Sequence, residues 1–179
     1  PSVLARVSVR NSFDDRYFDD KYQALPKLGY THFFKKLLAS PNIRIRLNTN
    51  FFDIKDSLSY KDLVFTGPID DYYSDPGLEK LEYRSIYFDF QTIRNDGFFQ
   101  TNSVVNYPDA DIPFTRIVEY KHFIHQSSEF TTIVREFPTD TGEPYYPVPT
   151  QRNADLYRRY KSYADQEHSV HFIGRLGKY

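Results

Sequence analysis

Asp62-Leu63-Val64-Phe65-Thr66-Gly67-Pro68 places three consecutive apolar residues between an acidic residue and a Gly-Pro turn. A strand with one wet face alternates apolar and polar side chains, whereas a short unbroken apolar run fits a strand covered on both faces, as in a parallel sheet. Residues 170–173 carry a weaker version of the same character. Such strands need helices above and below them, and the rest of the chain predicts too few. The run at 62–66 therefore predicts returning pieces of a sheet whose other strands lie elsewhere.

The segments around it are of another kind. Gly29-Tyr30-Thr31 opens a predicted helix with Phe33, Phe34, Leu37 and Leu38 at helical spacing, and Ser40-Pro41-Asn42 stops it. Ile43-Arg44-Ile45-Arg46-Leu47 alternates strictly and predicts a strand with one buried face. Residues 84–90, 103–107, 116–120 and 131–137 are strand-like runs between turn-rich spacers such as Asn95-Asp96-Gly97, spaced like an antiparallel meander. A helix is predicted over about 152–166, with Leu156, Tyr160, Tyr163 and Ala164 on one face and Asp155 placed to meet Arg159. Residues 1–25 read as loop or short strand. The fold class is mixed α+β: an antiparallel sheet, returning strands of an incomplete Rossmann-like sheet, and a few helices.

Composition narrows the functions. The 179 residues suit one domain with a proper core or two small lobes. A net charge of −1 with no basic stripe gives no support for nucleic-acid binding. The absence of cysteine excludes disulfides, thiol catalysis and Cys-based zinc sites. No apolar run reaches the length of a bilayer span. Pro1 opens a sequence with no methionine at all, which predicts a portion of a longer gene product. Sixteen Tyr and sixteen Phe, with no Trp, predict an aromatic core, some of whose tyrosines could serve as platforms for sugar or base rings.

Arg6, Arg116 and Arg175 are candidates for anion recognition, because guanidinium groups grip phosphate oxygens bidentately and stay charged in a closed site. Arg116 sits at a strand entry; its alternative reading is a surface arginine paired with Asp109 or Asp111. Tyr145-Tyr146 lie in a proline-bracketed turn, where the phenols either face a ligand or plug a sheet end. Thr66-Gly67 form the kind of strand-end turn at which doubly wound folds bring backbone close to a cofactor. His122 and His125 have poor metal-ligand spacing for a strand exit, and no metal site is expected. Asp14, Asp15, Asp19 and Asp20 read as a solvated loop, and no nucleophile motif of the G-x-S-x-G type is present.

Several of these pieces, in this order, resemble the UDP-galactopyranose mutases of bacterial type, flavoenzymes that interconvert the pyranose and furanose forms of UDP-galactose. The matching stretches are Tyr17-Phe18-Asp19-Asp20-Lys21-Tyr22-Gln23, Gly29-Tyr30-Thr31, Phe65-Thr66-Gly67-Pro68-Ile69-Asp70, Leu81-Glu82-Tyr83-Arg84-Ser85, Val104-Val105-Asn106-Tyr107, Phe114-Thr115-Arg116-Ile117-Val118-Glu119, Glu143-Pro144-Tyr145-Tyr146-Pro147-Val148 and Gly174-Arg175-Leu176. The resemblance implies that Arg6, on a mobile substrate loop, and Arg116 clamp the diphosphate from opposite sides. It implies substrate contacts from Tyr17, Asn106 and Tyr146, and flavin contacts from Phe52, Thr66, Gly67, Gly174 and Arg175. Departures from the family pattern include Ile173-Gly174 in place of a Gly-Gly pair, Tyr120 in place of a histidine, and an atypical loop at 74–80.

The chemistry so implied has no net redox change: N5 of reduced FAD attacks the anomeric carbon, UDP leaves, and the sugar recloses through a flavin N5–sugar adduct. The implied division is 1–40 substrate loop and helical part, 41–70 a returning segment of the FAD-binding domain, 71–150 the substrate-binding sheet, and 151–179 a helix and strand returning to the FAD-binding domain. A cytoplasmic homodimer serving cell-wall or polysaccharide biosynthesis is the implied setting. The chain lacks a G-x-G-x-x-G segment, so residues 1–179 alone are expected to bind no FAD and to be inactive. Two rivals stand beside this reading: a non-catalytic nucleotide-sugar or carbohydrate-binding module, and a related FAD oxidoreductase acting on amines.

Overall fold

The computed structural model of the chain describes residues 11, 13, 18, 20–74, 77–125 and 127–179. The chain divides into two units, Pro1–Ile45 and Arg46–Tyr179.

In the first unit, α1 (Gly29–Leu37) forms where the helical spacing predicts it. Gly29 takes a φ of +77°, a conformation glycine adopts without strain, while its N–H donates to Pro26 O at 2.9 Å. The strand predicted at 43–47 does not form. Alternation selects which side chains would share a face, but strand backbone also needs a neighbour to take its N–H and C=O groups, and no pairing with 43–47 occurs among the described residues.

In the second unit, β1 (Leu63–Phe65) runs parallel to β7 (Val170–Phe172), with Leu63 opposite Val170 and Phe65 opposite Phe172. The apolar run and the weaker segment at 170–173 are thus neighbours in a parallel pair, but Val64 is exposed, so β1 is not covered on both faces. The other sheet is antiparallel and comprises β2 (Tyr83–Arg94), β3 (Val104–Asn106), β4 (Arg116–Glu119), β5 (Phe130–Thr139) and β6 (Tyr146–Pro147), in the order β3-β4-β5-β2-β6. The predicted meander holds for β3-β4-β5 only. β2 pairs with β5 over ten residues, from Ser85 opposite Thr139 to Arg94 opposite Phe130. Beside the three-residue β3, most backbone groups of the twelve-residue β2 would have gone unpaired.

Two buried charges fasten the far end of this sheet. The Lys121 ammonium, 5% exposed, donates to the carbonyls of Asn95, Asp96, Gly97 and Ser128, tying the turn after β2 to the approach to β5. Glu119, fully buried, accepts from Phe99 N, Gln100 N and Thr131 Oγ1. Burial alone would raise its pKa. The hydrogen bonds from Thr131, Phe99 and Gln100, with the nearby His122, outweigh that and hold it below the ordinary value.

The core joins the two sheets. Ile69 in α3 (Ile69–Tyr72), Leu81 at the approach to β2, and Leu156 and Tyr160 in α4 (Gln151–Ala164) pack together. Full burial of side chains of this size stabilises by about 1.5–3 kcal/mol each. α4 starts at Thr150, whose Oγ1 accepts from Asn153 N, as Ser/Thr caps do. Asp155 pairs with Arg158, one residue before the predicted Arg159, because i,i+3 neighbours also share a helix face. Asp70, 2% exposed, accepts from Leu81 N and Tyr83 Oη, so the turn after β1 is tied to the start of β2. Burial and that hydrogen bond push the Tyr83 phenol up. Phe51 and Phe52 in α2 (Phe51–Ile54) pack with Phe65, Tyr72 and Phe172, with ring centres 5.1–6.4 Å apart where they meet. This cluster takes up only part of the aromatic excess, because Phe33, Phe34, Tyr87, Phe90 and Phe130 among others are exposed. The last helix, α5 (Gly174–Gly177), follows β7 directly.

Candidate functional site

Residues directly opposite one another in an antiparallel ladder share a face of the sheet. Asn106 stands opposite Arg116, Arg116 opposite Glu136, and Glu136 opposite Phe88. Arg84, four residues from Phe88 on the same strand and hence on the same face, stands opposite Tyr146. Three candidates read from the sequence, Asn106, Arg116 and Tyr146, therefore look out from one side of one sheet. Two charged residues not singled out in the sequence, Arg84 and Glu136, share it. Alternation within the two long strands is the signal that could have found them.

The arginines of this sheet differ in how they are occupied. Arg84, Arg94 and Arg135 each turn a terminal nitrogen onto a carboxylate: Asp140 at 3.4 Å, Glu129 at 3.1 Å and Asp89 at 3.4 Å. Arg116 instead sets its Nε 3.2 Å from Glu136 Oε2, and not onto Asp109 or Asp111. That N–H is not aimed at the carboxylate oxygen, so the contact is an ion pair and the buried Nε donor stays without a hydrogen bond. Its terminal fork has no hydrogen bond or ion pair among the described residues, while the side chain is 43% exposed. A guanidinium held at its root with both terminal nitrogens open is what bidentate capture of a phosphate needs.

Tyr146 lies in β6, not in a turn, and Tyr145 packs edge-on against Phe88 with ring centres 5.9 Å apart. The Arg175 guanidinium lies over the Tyr146 ring, 4.6 Å from its centre. Through this contact the antiparallel face meets the end of the parallel pair. There, Thr66-Gly67 and Gly174-Arg175 follow the carboxyl ends of β1 and β7, bound by Ile173 N donating to Phe65 O at 3.1 Å. Ligands of open parallel sheets bind beyond such carboxyl ends.

The two glycines at this end differ in their surroundings. Gly174 has a φ of +82° and nothing within 4 Å of where a Cβ would stand, and Thr66 is exposed. A Cβ on Gly67 would come within 2.8 Å of the Phe65 ring. Open backbone thus lies at Gly174, while Gly67 is packed against Phe65, whose ring centre is 6.0 Å from that of Phe52.

The remaining candidates fall elsewhere. Arg6 and Tyr17 lie outside the described residues, as do Asp14, Asp15 and Asp19. His122 is in a 3-10 turn, Tyr120–His125, that directly follows β4; its Nε2 is 3.2 Å from Glu119 Oε2 and its ring stacks on Phe98. No cluster able to hold a metal occurs among the described residues, and no helix there is long and apolar enough to cross a membrane. A cavity of about 670 Å³ opens beside the Asp70 turn, lined in part by Asp71, Lys80, Arg84 and Asp140, but it does not contain Asn106, Arg116 or Tyr146. Its charges already satisfy one another, Lys80 with Asp71 at 2.8 Å and Arg84 with Asp140, so it reads as a wet structural recess.

The arrangement is that of a mixed α+β protein in which a parallel strand pair abuts an antiparallel face that presents an open arginine fork. Residues 1–179 match the family described as UDP-galactopyranose mutase, and the chain belongs to that family. It is 36% identical to a probable UDP-galactopyranose mutase of Klebsiella pneumoniae, over 99% of this chain and 46% of that protein. It is 34% identical to a dTDP-fucopyranose mutase of Escherichia coli, over 99% of this chain and 49% of that protein. A UDP-galactopyranose mutase of Mycoplasma genitalium is also 34% identical, over 99% of this chain and 48% of that protein. The chain thus spans about half the length of the curated relatives it matches. A crystal structure of reduced UDP-galactopyranose mutase has the same fold, with a TM-score of 0.55 at 14% identity over 67% of this chain and 36% of that one.

Proposed function

We propose that the full-length gene product interconverts UDP-galactopyranose and UDP-galactofuranose with the help of reduced FAD. The observation that carries this is the open terminal fork of Arg116, on one face with Asn106 and Tyr146 and linked through Tyr146 to Arg175 at the proposed cofactor edge. Thr66, Gly67, Gly174 and Arg175 would hold the flavin, with Phe52 behind them. The flavin would supply the nucleophile for the anomeric carbon.

The chain's own residues have the leaving group to manage. Cleavage at the anomeric carbon places negative charge on the departing diphosphate, and Arg116 would compensate that charge where it develops. Tyr146 would donate its hydroxyl to a phosphate oxygen, and Asn106, beside Arg116, would bond a polar group of the substrate. Arg6 and Tyr17 are assigned the opposing side of the clamp. Holding UDP in place makes its return to the reclosed sugar effectively unimolecular. In this reading 71–150 is the substrate sheet, 1–40 carries the substrate loop, and 41–70 and 151–179 return to the cofactor domain.

Incubation of the full-length protein with UDP-galactofuranose, with and without dithionite, tests the proposal by chromatography of the sugar nucleotides. Conversion to UDP-galactopyranose under reducing conditions alone is expected. Conversion of dTDP-fucopyranose instead would keep the reaction class and change base and sugar, an outcome the Escherichia coli relative makes worth including. Tight UDP binding with no turnover of either compound would favour a binding module. Residues 1–179 alone are expected to take up no flavin, and a yellow stoichiometric complex would overturn that.

A further inference from the structure

Glu136 has surroundings unlike those of the other carboxylates that face arginines on this sheet. Its side chain is 15% exposed, against 86% for Asp140, 65% for Glu129 and 42% for Asp89. It stands between Phe88 on one side and Arg116 on the other in a single row across three strands. Its backbone is pinned as well. Glu136 O accepts from both Thr115 N at 2.9 Å and Thr115 Oγ1 at 3.2 Å, so the residue before Arg116 is tied to the residue that faces it. A carboxylate shielded in this way interacts more strongly with its partner than one in open water.

We propose that Glu136 is the positioning residue of Arg116: its carboxylate, sunk in the sheet face beside Phe88, holds the guanidinium by its root so that the terminal fork faces a diphosphate. The inference rests on the reading of Arg116 as a diphosphate ligand. Arg84, Arg94 and Arg135 show the alternative, in which a more exposed carboxylate captures one terminal nitrogen and takes it out of the fork. At Arg116 the carboxylate lies 3.2 Å from the inner nitrogen, an ion pair without a hydrogen bond, and leaves both terminal nitrogens open. The long arginine side chain loses its freedom before the ligand arrives, which lowers the ordering cost of binding.

Charge and position predict opposite signs, and that makes the role testable. A carboxylate near a diphosphate site repels the ligand; if repulsion were its whole effect, Glu136→Gln would tighten UDP binding. If Glu136 holds Arg116 in place, the same isosteric change weakens it. UDP affinity of the full-length protein is to be measured by calorimetry for wild type, Glu136→Gln, Glu136→Asp, Arg116→Ala and the Arg116→Ala/Glu136→Gln double variant. Expected are a weakening of about fivefold for Glu136→Gln, partial recovery in Glu136→Asp, and less than about twofold further loss from Glu136→Gln once Arg116 is gone. Tighter binding in Glu136→Gln, or an equal loss in both backgrounds, overturns the positioning role. Unchanged UDP affinity in Arg116→Ala would instead overturn the reading of Arg116 itself.

Discussion

The guanidinium carbon of Arg175 lies 4.6 Å from the centre of the Tyr146 ring, and this contact joins two parts of the protein built on different principles. Arg175 follows a parallel strand and Tyr146 belongs to a two-residue edge strand of the antiparallel sheet. One aromatic ring thus has a face toward the proposed cofactor edge and a hydroxyl available to the proposed diphosphate site.

Separating those two roles of Tyr146 gives the first prediction. Tyr146→Phe keeps the ring under Arg175 and removes the hydroxyl, so UDP affinity falls while thermal stability is retained. Tyr146→Leu removes both and also lowers stability by about 1 kcal/mol, the scale of a partly exposed cation–π contact. Thermal unfolding and UDP titration of the full-length protein distinguish the two. Equal UDP affinity in wild type and Tyr146→Phe would remove the hydroxyl from the site.

Arg116→Ala should cost about 2–3 kcal/mol of UDP binding, the scale of a hydrogen bond to a charged group. That corresponds to roughly thirty- to 150-fold in affinity. The flavin absorbance spectrum should not change. Arg116→Lys should recover only part of the loss, because an ammonium cannot reproduce the planar fork. Loss of flavin from Arg116→Ala would move this residue to the cofactor site.

Glu119 sets a pH dependence of stability with a definite sign. Its native pKa lies below the ordinary 4.5, so its contribution is fully present above that value and is lost as pH falls through the lower native one. Urea unfolding should show stability declining as acid is added below about pH 4.5, and Glu119→Gln should flatten that decline. At neutral pH the same variant should cost about 2 kcal/mol, since buried donors from Thr131, Phe99 and Gln100 lose their charged acceptor.

Gly174 supplies a backbone test of the cofactor edge. With φ at +82° and open space where a Cβ would stand, Gly174→Ala meets conformational strain and no clash. It should lower stability by about 1 kcal/mol. In the full-length protein it should also reduce bound flavin, measured by absorbance after gel filtration. Unchanged flavin content would show that the bare backbone here faces no cofactor.

Local pattern was legible where the physics is local. The unbroken run at 62–66 announced a parallel strand, helical spacing announced α1 and α4, and four strand-like runs announced the antiparallel sheet. The strand at 43–47 failed on the same ground: alternation is a property of the segment, whereas a strand also needs a partner. The alternative reading of Arg116, paired with Asp109 or Asp111, rested on closeness in sequence, whereas Glu136 is close only across the ladder.

The chain's order of apolar and polar residues by itself determined where the two longer helices and most of the strands form, and its motif order determined the family. Only the tertiary structure decided that β2 crosses to the far side of β5, that Asn106, Arg116, Glu136, Arg84 and Tyr146 share one face, and that Arg175 reaches Tyr146. The reason is physical. A period of two tells which side chains of one strand point together, but backbone hydrogen bonds with a distant strand select its neighbour and its register.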